Sequence, residues 1–345
     1  MIIGVDAGAL SIRDERLKVG VWRVTYNLLR ELGKIDIRNE YRLYTFLPID
    51  REVMSVFGPR MKNVVVRPSL AWSTIQLPIE LRRHPVDVFL GLSQMLPRST
   101  SRNIGFIYDL GFIRNPDAYP GSLKKLISQT SQLVERADDI VAISQSTKKD
   151  IIEHYKIEKK NVSVAYPGVD GRFTTRGDKH KNRNPYILSV GSLKRGKNVP
   201  MALRIFKKFM QISKKQYDFL IIGGDYWNDP DIQHERTGHV KFMGFVPDEE
   251  LPSYYRGAEA LLVTSLWEGF CLPAIEAMAC GCPVVYGKVG SLPEIVGNAG
   301  SAYNDEQAAV VALTRLQRTV SGIRRSKGFT WGNFAVKIYD LIDSK

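Results

Sequence analysis

Ser265-Leu-Trp-Glu-Gly-Phe-Cys-Leu-Pro-Ala-Ile-Glu276, continuing through Ala-Met-Ala-Cys-Gly-Cys-Pro-Val-Val285, decides how this chain is read. Pro273 suits a first helical position, where its missing N–H costs nothing, so a loop is expected to turn into a helix there. The backbone amides of Gly269, Phe270, Cys271 and Leu272 would then face outward at a positive helix end, a natural seat for a phosphate. Glu268 and Glu276 bracket that seat. Carboxylates repel a phosphate, so these two are better placed to hold hydroxyls. An anion seat flanked by hydroxyl acceptors is what a nucleotide-sugar requires, although two glutamates at this spacing alone read as a solvated helix face.

The rest of the composition is ordinary for a soluble α/β protein. At 345 residues, 44% apolar and 25% charged, the chain is long enough for two domains with full cores. No stretch approaches the roughly 20 apolar residues of a membrane span. The start, Met1-Ile-Ile-Gly-Val-Asp6, lacks a basic n-region and a cleavage site, and it reads as a first strand. Cys271, Cys280 and Cys282 cannot all pair with one another, and Cys-x-Cys lacks zinc spacing, so buried free thiols in a reducing cytosol are expected. The net charge of +13 is spread evenly, with an excess of six basic residues in 1–170 and seven in the remainder. Without a basic arm or a recognisable nucleic-acid motif, this charge indicates solubility and a general attraction to anionic surfaces.

Short apolar runs alternate with helical periodicity along the whole chain, the pattern of α/β domains with parallel sheets. Strands are predicted at Ile2–Val5, Arg42–Phe46, Val64–Arg67, Val86–Leu90, Ile104–Tyr108, Asp139–Ile143 and Val162–Ala165. A second set is predicted at Tyr186–Val190, Phe219–Ile222, Val240–Met243, Ala260–Thr264 and Val284–Tyr286. Gly171 to Asn184 is polar and nearly devoid of apolar residues, which reads as a linker. The predicted organisation is a first Rossmann-like domain over 1–170, a linker over 171–185 and a second Rossmann-like domain over 186–330. A helix over 331–345 keeps Phe334, Ile338, Leu341 and Ile342 on one face.

The Glu268–Val285 string resembles the donor-site signature of the retaining glycosyltransferases of family 4, E-G-F-G-L-P followed by E-A-M-A-x-G-x-P-V-V. Here Cys271 stands where the family usually has glycine. The resemblance implies a GT-B fold, two Rossmann-like domains with parallel sheets facing across a cleft, and a last helix that crosses back to the first domain. It also implies a nucleotide-sugar donor, with Glu268 holding sugar hydroxyls, Glu276 holding ribose hydroxyls, and the Gly269, Phe270, Cys271 and Leu272 amides facing phosphate.

Further matches carry further roles. Gly191-Ser-Leu-Lys-Arg-Gly-Lys-Asn198 lies between a strand and a helix and resembles the family's G-T-L-x-P-R-K-N. Lys197 matches the diphosphate-binding lysine, Gly196 replaces the usual arginine, Arg195 is offered as its substitute, and Ser192 belongs to the same loop. Val246, in Phe245-Val-Pro-Asp-Glu-Glu-Leu251, corresponds to a segment contacting the donor base, with loop packing as the alternative. In the first half, Lys18-Val-Gly-Val-Trp-Arg23 resembles T-G-I-G-R, with Gly20 matching and Trp22 replacing a small residue as a candidate sugar-stacking wall. Tyr108 and Asp109, in Phe106-Ile-Tyr-Asp-Leu-Gly-Phe-Ile-Arg-Asn-Pro116, resemble the I-H-D-L-x-x-L-R-x-P segment. The family's sugar-contacting histidine is Tyr108 here, able to donate a hydrogen bond but not to act as a base near neutral pH. The five histidines read as surface or packing residues. Asp229-Pro-Asp231 reads as a Pro-centred turn and not as a metal site.

The implied activity is a metal-independent retaining glycosyltransferase with no bound cofactor. It would move mannose or a similar hexose from a nucleotide-sugar to a glycan or lipid-linked acceptor in cell-surface polysaccharide synthesis. The Lys-Asn variant of the basic loop suggests GDP-mannose, with UDP- and dTDP-sugars left open. A cytoplasmic location is expected, with peripheral contact at the anionic inner face of the membrane, no nucleic-acid partner and an oligomeric state left open. The alternatives are another GT-B activity, a nucleotide-sugar epimerase or a phosphorylase, and a catalytically silent sugar-binding protein.

Overall fold

A computed structural model describes residues 1–18, 20–224, 238–318 and 320–344. The first sheet contains β1 (Ile2–Asp6), β2 (Glu40–Thr45), β3 (Met61–Val65), β4 (Val88–Gly91), β5 (Arg102–Ile107), β6 (Asp139–Ala142) and β7 (Val162–Val164). Its spatial order is β3-β2-β1-β4-β5-β6-β7, with every pair parallel. The second sheet contains β8 (Tyr186–Val190), β9 (Asp218–Ile222), β10 (Val240–Gly244), β11 (Ala260–Val263), β12 (Val284–Gly287) and β13 (Ser301–Tyr303). These strands run parallel in the order β10-β9-β8-β11-β12-β13. Parallel strands with helices on their faces are buried on both sides, which is why they read as continuous apolar runs. Ile187, Leu188, Phe219, Leu220, Leu261 and Leu262 are all buried.

Each of the twelve predicted strands has a counterpart. Among the elements not anticipated are the three-residue β13, the helix Arg51–Phe57 and the helical turn Gly111–Arg114, all short. After β13 come the helices Glu306–Thr314 and Val320–Ser326.

Contacts divide the chain into two compact units with different boundaries from those predicted. The first comprises Met1–Leu110, Gly121–Gly168 and Trp331–Lys345; the second comprises Gly111–Pro120 and Val169–Thr330. The last helix, Trp331–Asp343, belongs to the first unit, where Phe334 meets Phe106 edge-on at 6.4 Å. Its carbonyl at Ile342 accepts from Arg102.

The segment 171–185, expected as a linker, lies within the second unit. Buried Arg256 donates Nε to the Asp178 carbonyl at 2.8 Å and Nη1 to that of Thr174 at 3.3 Å. Phe173 is buried edge-on against Tyr255, and His180 stacks on Tyr254 at 3.9 Å. The side-chain amides of Asn182 and Asn184 donate to Asp218 at 2.8 and 3.0 Å. A polar composition that reads as a free tether is here a set of hydrogen-bond partners for buried groups.

Asp218 is the anchor of that set. Besides the two asparagines it receives Lys241 Nζ at 2.6 Å and faces His239 Nδ1 at 2.9 Å. Burial alone would raise its carboxyl pKa, but hydrogen bonds from Lys241, Asn184, Asn182 and His239 outweigh burial and hold it below the ordinary range. A depressed folded-state pKa gives stability that is complete above the unfolded value, about 4, and is lost as pH falls through the folded one. Asp218→Asn should therefore lower the melting temperature most near pH 7. The gap from the wild type should narrow as thermal scans move below about pH 4, and a constant gap would contradict the assignment.

Candidate functional site

In the second sheet the chain winds one way from β8 through β9 to β10, and the other way from β11 through β12 to β13. Loops leaving the C-terminal ends of β8 and β11 therefore diverge, and such a switch point is where open α/β sheets hold ligands. The two loops are Gly191–Asn198 and Thr264–Cys271, the same two singled out from sequence.

The first loop is shaped by close backbone packing. Gly223, with φ of +144°, has no room for a side chain, because a Cβ there would lie 1.9 Å from the Gly191 carbonyl oxygen. The Lys197 stem runs back over Gly191, with Cε 3.4 Å from the position of a Cβ on that glycine. A turn of 3-10 helix over Arg195–Lys197 and left-handed Asn198 then lead into the helix Val199–Ile212. Thr264 joins the loops by donating Oγ1 to the carbonyls of Lys197 and Asn198 at 3.0 and 3.1 Å. The Leu266 amide donates to the Gly196 carbonyl at 2.8 Å.

The two candidate charges meet across this junction. Lys197 Nζ donates to Glu268 Oε1 at 2.5 Å, and Ser265 Oγ donates to the same oxygen at 2.6 Å. Glu268 is buried, and its backbone is held by Ser291, whose amide donates to the Glu268 carbonyl at 3.0 Å. Gly290, with φ of +52°, allows that approach, because a Cβ there would lie 2.3 Å from the Glu268 carbonyl oxygen.

The helix after this loop is Leu272–Ala279, with Pro273 at its second position. Cys271 caps it in the left-handed conformation, at φ of 72° and ψ of 73°. That conformation carries little penalty only for glycine, which gives a physical reason for the glycine usual in the resembling motif. The Cys271 thiol is buried, and burial raises its pKa. Cys280 and Cys282 are likewise free, and burial pushes both thiols up to about 12. All three stay protonated near neutral pH, which suits packing and not metal ligation.

Glu276 lies on this helix with its side chain almost fully enclosed, and Oε2 accepts from the Tyr255 hydroxyl at 2.9 Å. Phe270 is buried edge-on against Phe329 at 5.5 Å, so its side chain supports the loop. Leu272 and Ser192 are half-buried, Gly269 is buried, and Arg195 is exposed. Val246 is buried, in keeping with the loop-packing alternative.

The first-unit candidates lie elsewhere in the chain. Gly20 opens the helix Gly20–Ile35, with nothing among the described residues within 4 Å of where its Cβ would be. Trp22, expected as a sugar wall, already stacks on Tyr26 at 5.0 Å, with the Lys18 ammonium 5.1 Å from the indole centroid. Tyr108 departs from expectation too. Its hydroxyl donates to the Leu92 carbonyl at 2.7 Å, so its one proton is engaged inside the fold. Burial raises its pKa, with buried Asp6 adding to the effect. Asp109 is half-buried, and its carbonyl accepts from Gln94 Nε2 at 3.2 Å. His84 pairs with Glu80, His154 packs on Tyr155, and His180 and His239 serve the packing described above. His234 and the Asp229-Pro-Asp231 segment lie outside the described residues.

Four supporting residues were missed. Ser265 precedes Glu268 by three residues, a spacing that could have suggested the hydrogen bond. Left-handed Gln94, whose side chain clamps both the Tyr108 amide and the Asp109 carbonyl, has no local signal. Tyr255 and Thr264 reach their partners only through the sheet order.

Residues 19–172 match the model of Glycosyltransferase Family 4, and residues 172–316 match that of Glycosyl transferases group 1. An O-antigen chain mannosyltransferase B of Escherichia coli is 24% identical over 323 residues, covering 86% of this chain and 81% of that protein. The fold is shared with a sucrose-phosphate synthase from Thermosynechococcus elongatus, at a TM-score of 0.77 and 18% identity over 99% and 98% of the two chains. It is shared as well with WaaG, a glycosyltransferase involved in lipopolysaccharide biosynthesis, at a TM-score of 0.73 and 15% identity over the full length of both. With both halves matched and two doubly wound parallel sheets, the chain belongs to the GT-B glycosyltransferases of group 1 and family 4.

Proposed function

We propose that this glycosyltransferase is a retaining enzyme that transfers mannose from GDP-mannose to a glycan or lipid-linked acceptor, without a metal ion. The observation that carries the reading is the Lys197–Glu268 pair at the β8/β11 switch point, one turn before the helix that bears Glu276. The mannose assignment draws on the similarity to a mannosyltransferase of O-antigen chains.

In this reading the donor diphosphate replaces Glu268 as the partner of Lys197. The amides preceding the helix Leu272–Ala279 and the Lys197 ammonium together take up the negative charge that builds as the C1–O bond breaks. Glu268, with Ser265 still on Oε1, accepts from sugar hydroxyls. Glu276 accepts from ribose hydroxyls, its geometry set by Tyr255. The acceptor oxygen attacks C1 from the side on which the diphosphate leaves. A phosphate oxygen takes its proton, so the configuration is retained and no protein nucleophile is required. Within the first unit, Tyr108 and Asp109, on a backbone clamped by Gln94, are assigned to acceptor binding. The even basic excess suits a cytoplasmic enzyme working at an anionic membrane face.

Titration with GDP-mannose should raise the melting temperature, because a ligand of the folded state present at a hundred times its Kd adds about 2.7 kcal/mol of stability. Product analysis should show an α-linkage formed only when acceptor is present. Sugar interconversion without acceptor, or turnover driven by inorganic phosphate, would replace the proposal with an epimerase or a phosphorylase.

Losing a charged hydrogen-bond partner costs about 1.5–3 kcal/mol, so Glu276→Gln should lower kcat/KM for the donor by roughly 10- to 100-fold. Tyr255→Phe removes one hydrogen bond from a buried carboxylate. It should raise the donor KM by about tenfold while leaving the acceptor KM in place. Equal changes in both constants would mean that Tyr255 serves stability alone.

A further inference from the structure

Residues Gly111–Pro120 follow Leu110 of the first unit in sequence but pack within the second. The segment consists of two tight turns, a helical turn over Gly111–Arg114 and a 3-10 turn over Pro116–Ala118. The Asn115 amide closes the first turn on the Gly111 carbonyl at 2.8 Å. Asn115 Nδ2 then donates to the Leu266 carbonyl at 3.4 Å, and the Arg114 guanidinium lies 5.4 Å from the centroid of the Trp267 ring. Leu266 and Trp267 immediately precede Glu268, and the Leu266 amide is the group bonded to Gly196 of the basic loop. Both polar groups of Leu266 are thus engaged, the N–H by the basic loop and the carbonyl by this segment.

Gly196 completes the arrangement. Among the described residues, a Cβ there would meet only the Tyr119 hydroxyl, at 4.0 Å, so the place where the resembling family carries arginine is approached by the end of the same segment. Phe112, itself buried, packs edge-on against Tyr119 at 6.2 Å and fixes that end.

We propose that Gly111–Pro120 is a positioning strap that sets where Glu268 and Lys197 stand relative to each other, with Arg114 and Asn115 as its positioning residues. It rests on the reading of these two charges as the donor site. The strap holds the turn before Glu268 directly and reaches the loop of Lys197 through the Leu266–Gly196 hydrogen bond. A diphosphate that must contact both loops at once binds tightly only when their spacing is preset.

The test compares wild type, Arg114→Ala, Asn115→Ala and the conservative Arg114→Lys. Three readouts apply: hydrogen exchange of peptides spanning 192–198 and 264–270, calorimetric affinity for GDP, and separate KM values for donor and acceptor. A cation–π contact of this kind supports a loss of roughly three- to tenfold in GDP affinity and donor KM for Arg114→Ala. Exchange in both peptides should rise, the acceptor KM should hold, and Arg114→Lys should stay near wild type. If Arg114→Ala fails to fold, the milder Asn115→Ala carries the same comparison. Unchanged exchange in both loops would refute the strap, whatever the ligand. A wild type that binds neither GDP nor GDP-mannose, with exchange responding as described, would instead overturn the donor-site reading on which the strap's function depends.

Discussion

The Lys197–Glu268 ion pair ties together two loops whose charged residues lie 71 positions apart in sequence and that the sheet brings side by side. Partly withdrawn from water, each charge depends on the other, because a buried charge left alone is costly. Much of the local structure exists to permit the contact. Gly223 and Gly191 touch backbone to backbone so that the lysine stem can lie flat, Gly290 makes room for the Glu268 backbone, and Ser265 satisfies the same carboxylate oxygen. Thr264 and the Leu266 amide stitch the two loops together beneath the pair.

The pair also bears on how the proposed diphosphate site can include carboxylates. With its lysine, Glu268 presents little net charge. In the proposed reading an incoming diphosphate exchanges one anion for another at the ammonium, and the released carboxylate accepts from hydroxyls. Glu276 differs in kind: it is enclosed and held by Tyr255, and Tyr255 in turn packs on Phe173 close to the point where the chain enters the second unit. The proposed donor site is therefore braced by Phe173, from a polar stretch that looks, in composition, like an idle tether.

Much of this was legible in the chain. Short apolar runs marked twelve strands, and the central ones, such as β4, β9 and β11, are buried on both faces and leave no alternation to misread. Pro273 marked the start of its helix to within one residue. The departures from the family pattern became interpretable only in three dimensions. Cys271 occupies a left-handed cap, Gly196 leaves a space that Tyr119 approaches, and Tyr108 turns its hydroxyl inward to a carbonyl. Trp22, imagined as an open wall, is stacked along its own helix. Side-chain direction depends on neighbours that no local pattern encodes.

By itself the sequence determined the kind of domain, the two loops and the identity of the charges they carry, because periodicity and helix-start chemistry are local properties. Only the tertiary structure decided the order of the strands, and with it the placing of β8 beside β11 that makes one site of two loops. It likewise decided that residues 111–120 and 171–185 pack in the second unit and that Tyr255 meets Glu276. These are long-range pairings, selected by which buried polar groups find partners and which apolar faces meet, and that selection is settled by the whole fold at once.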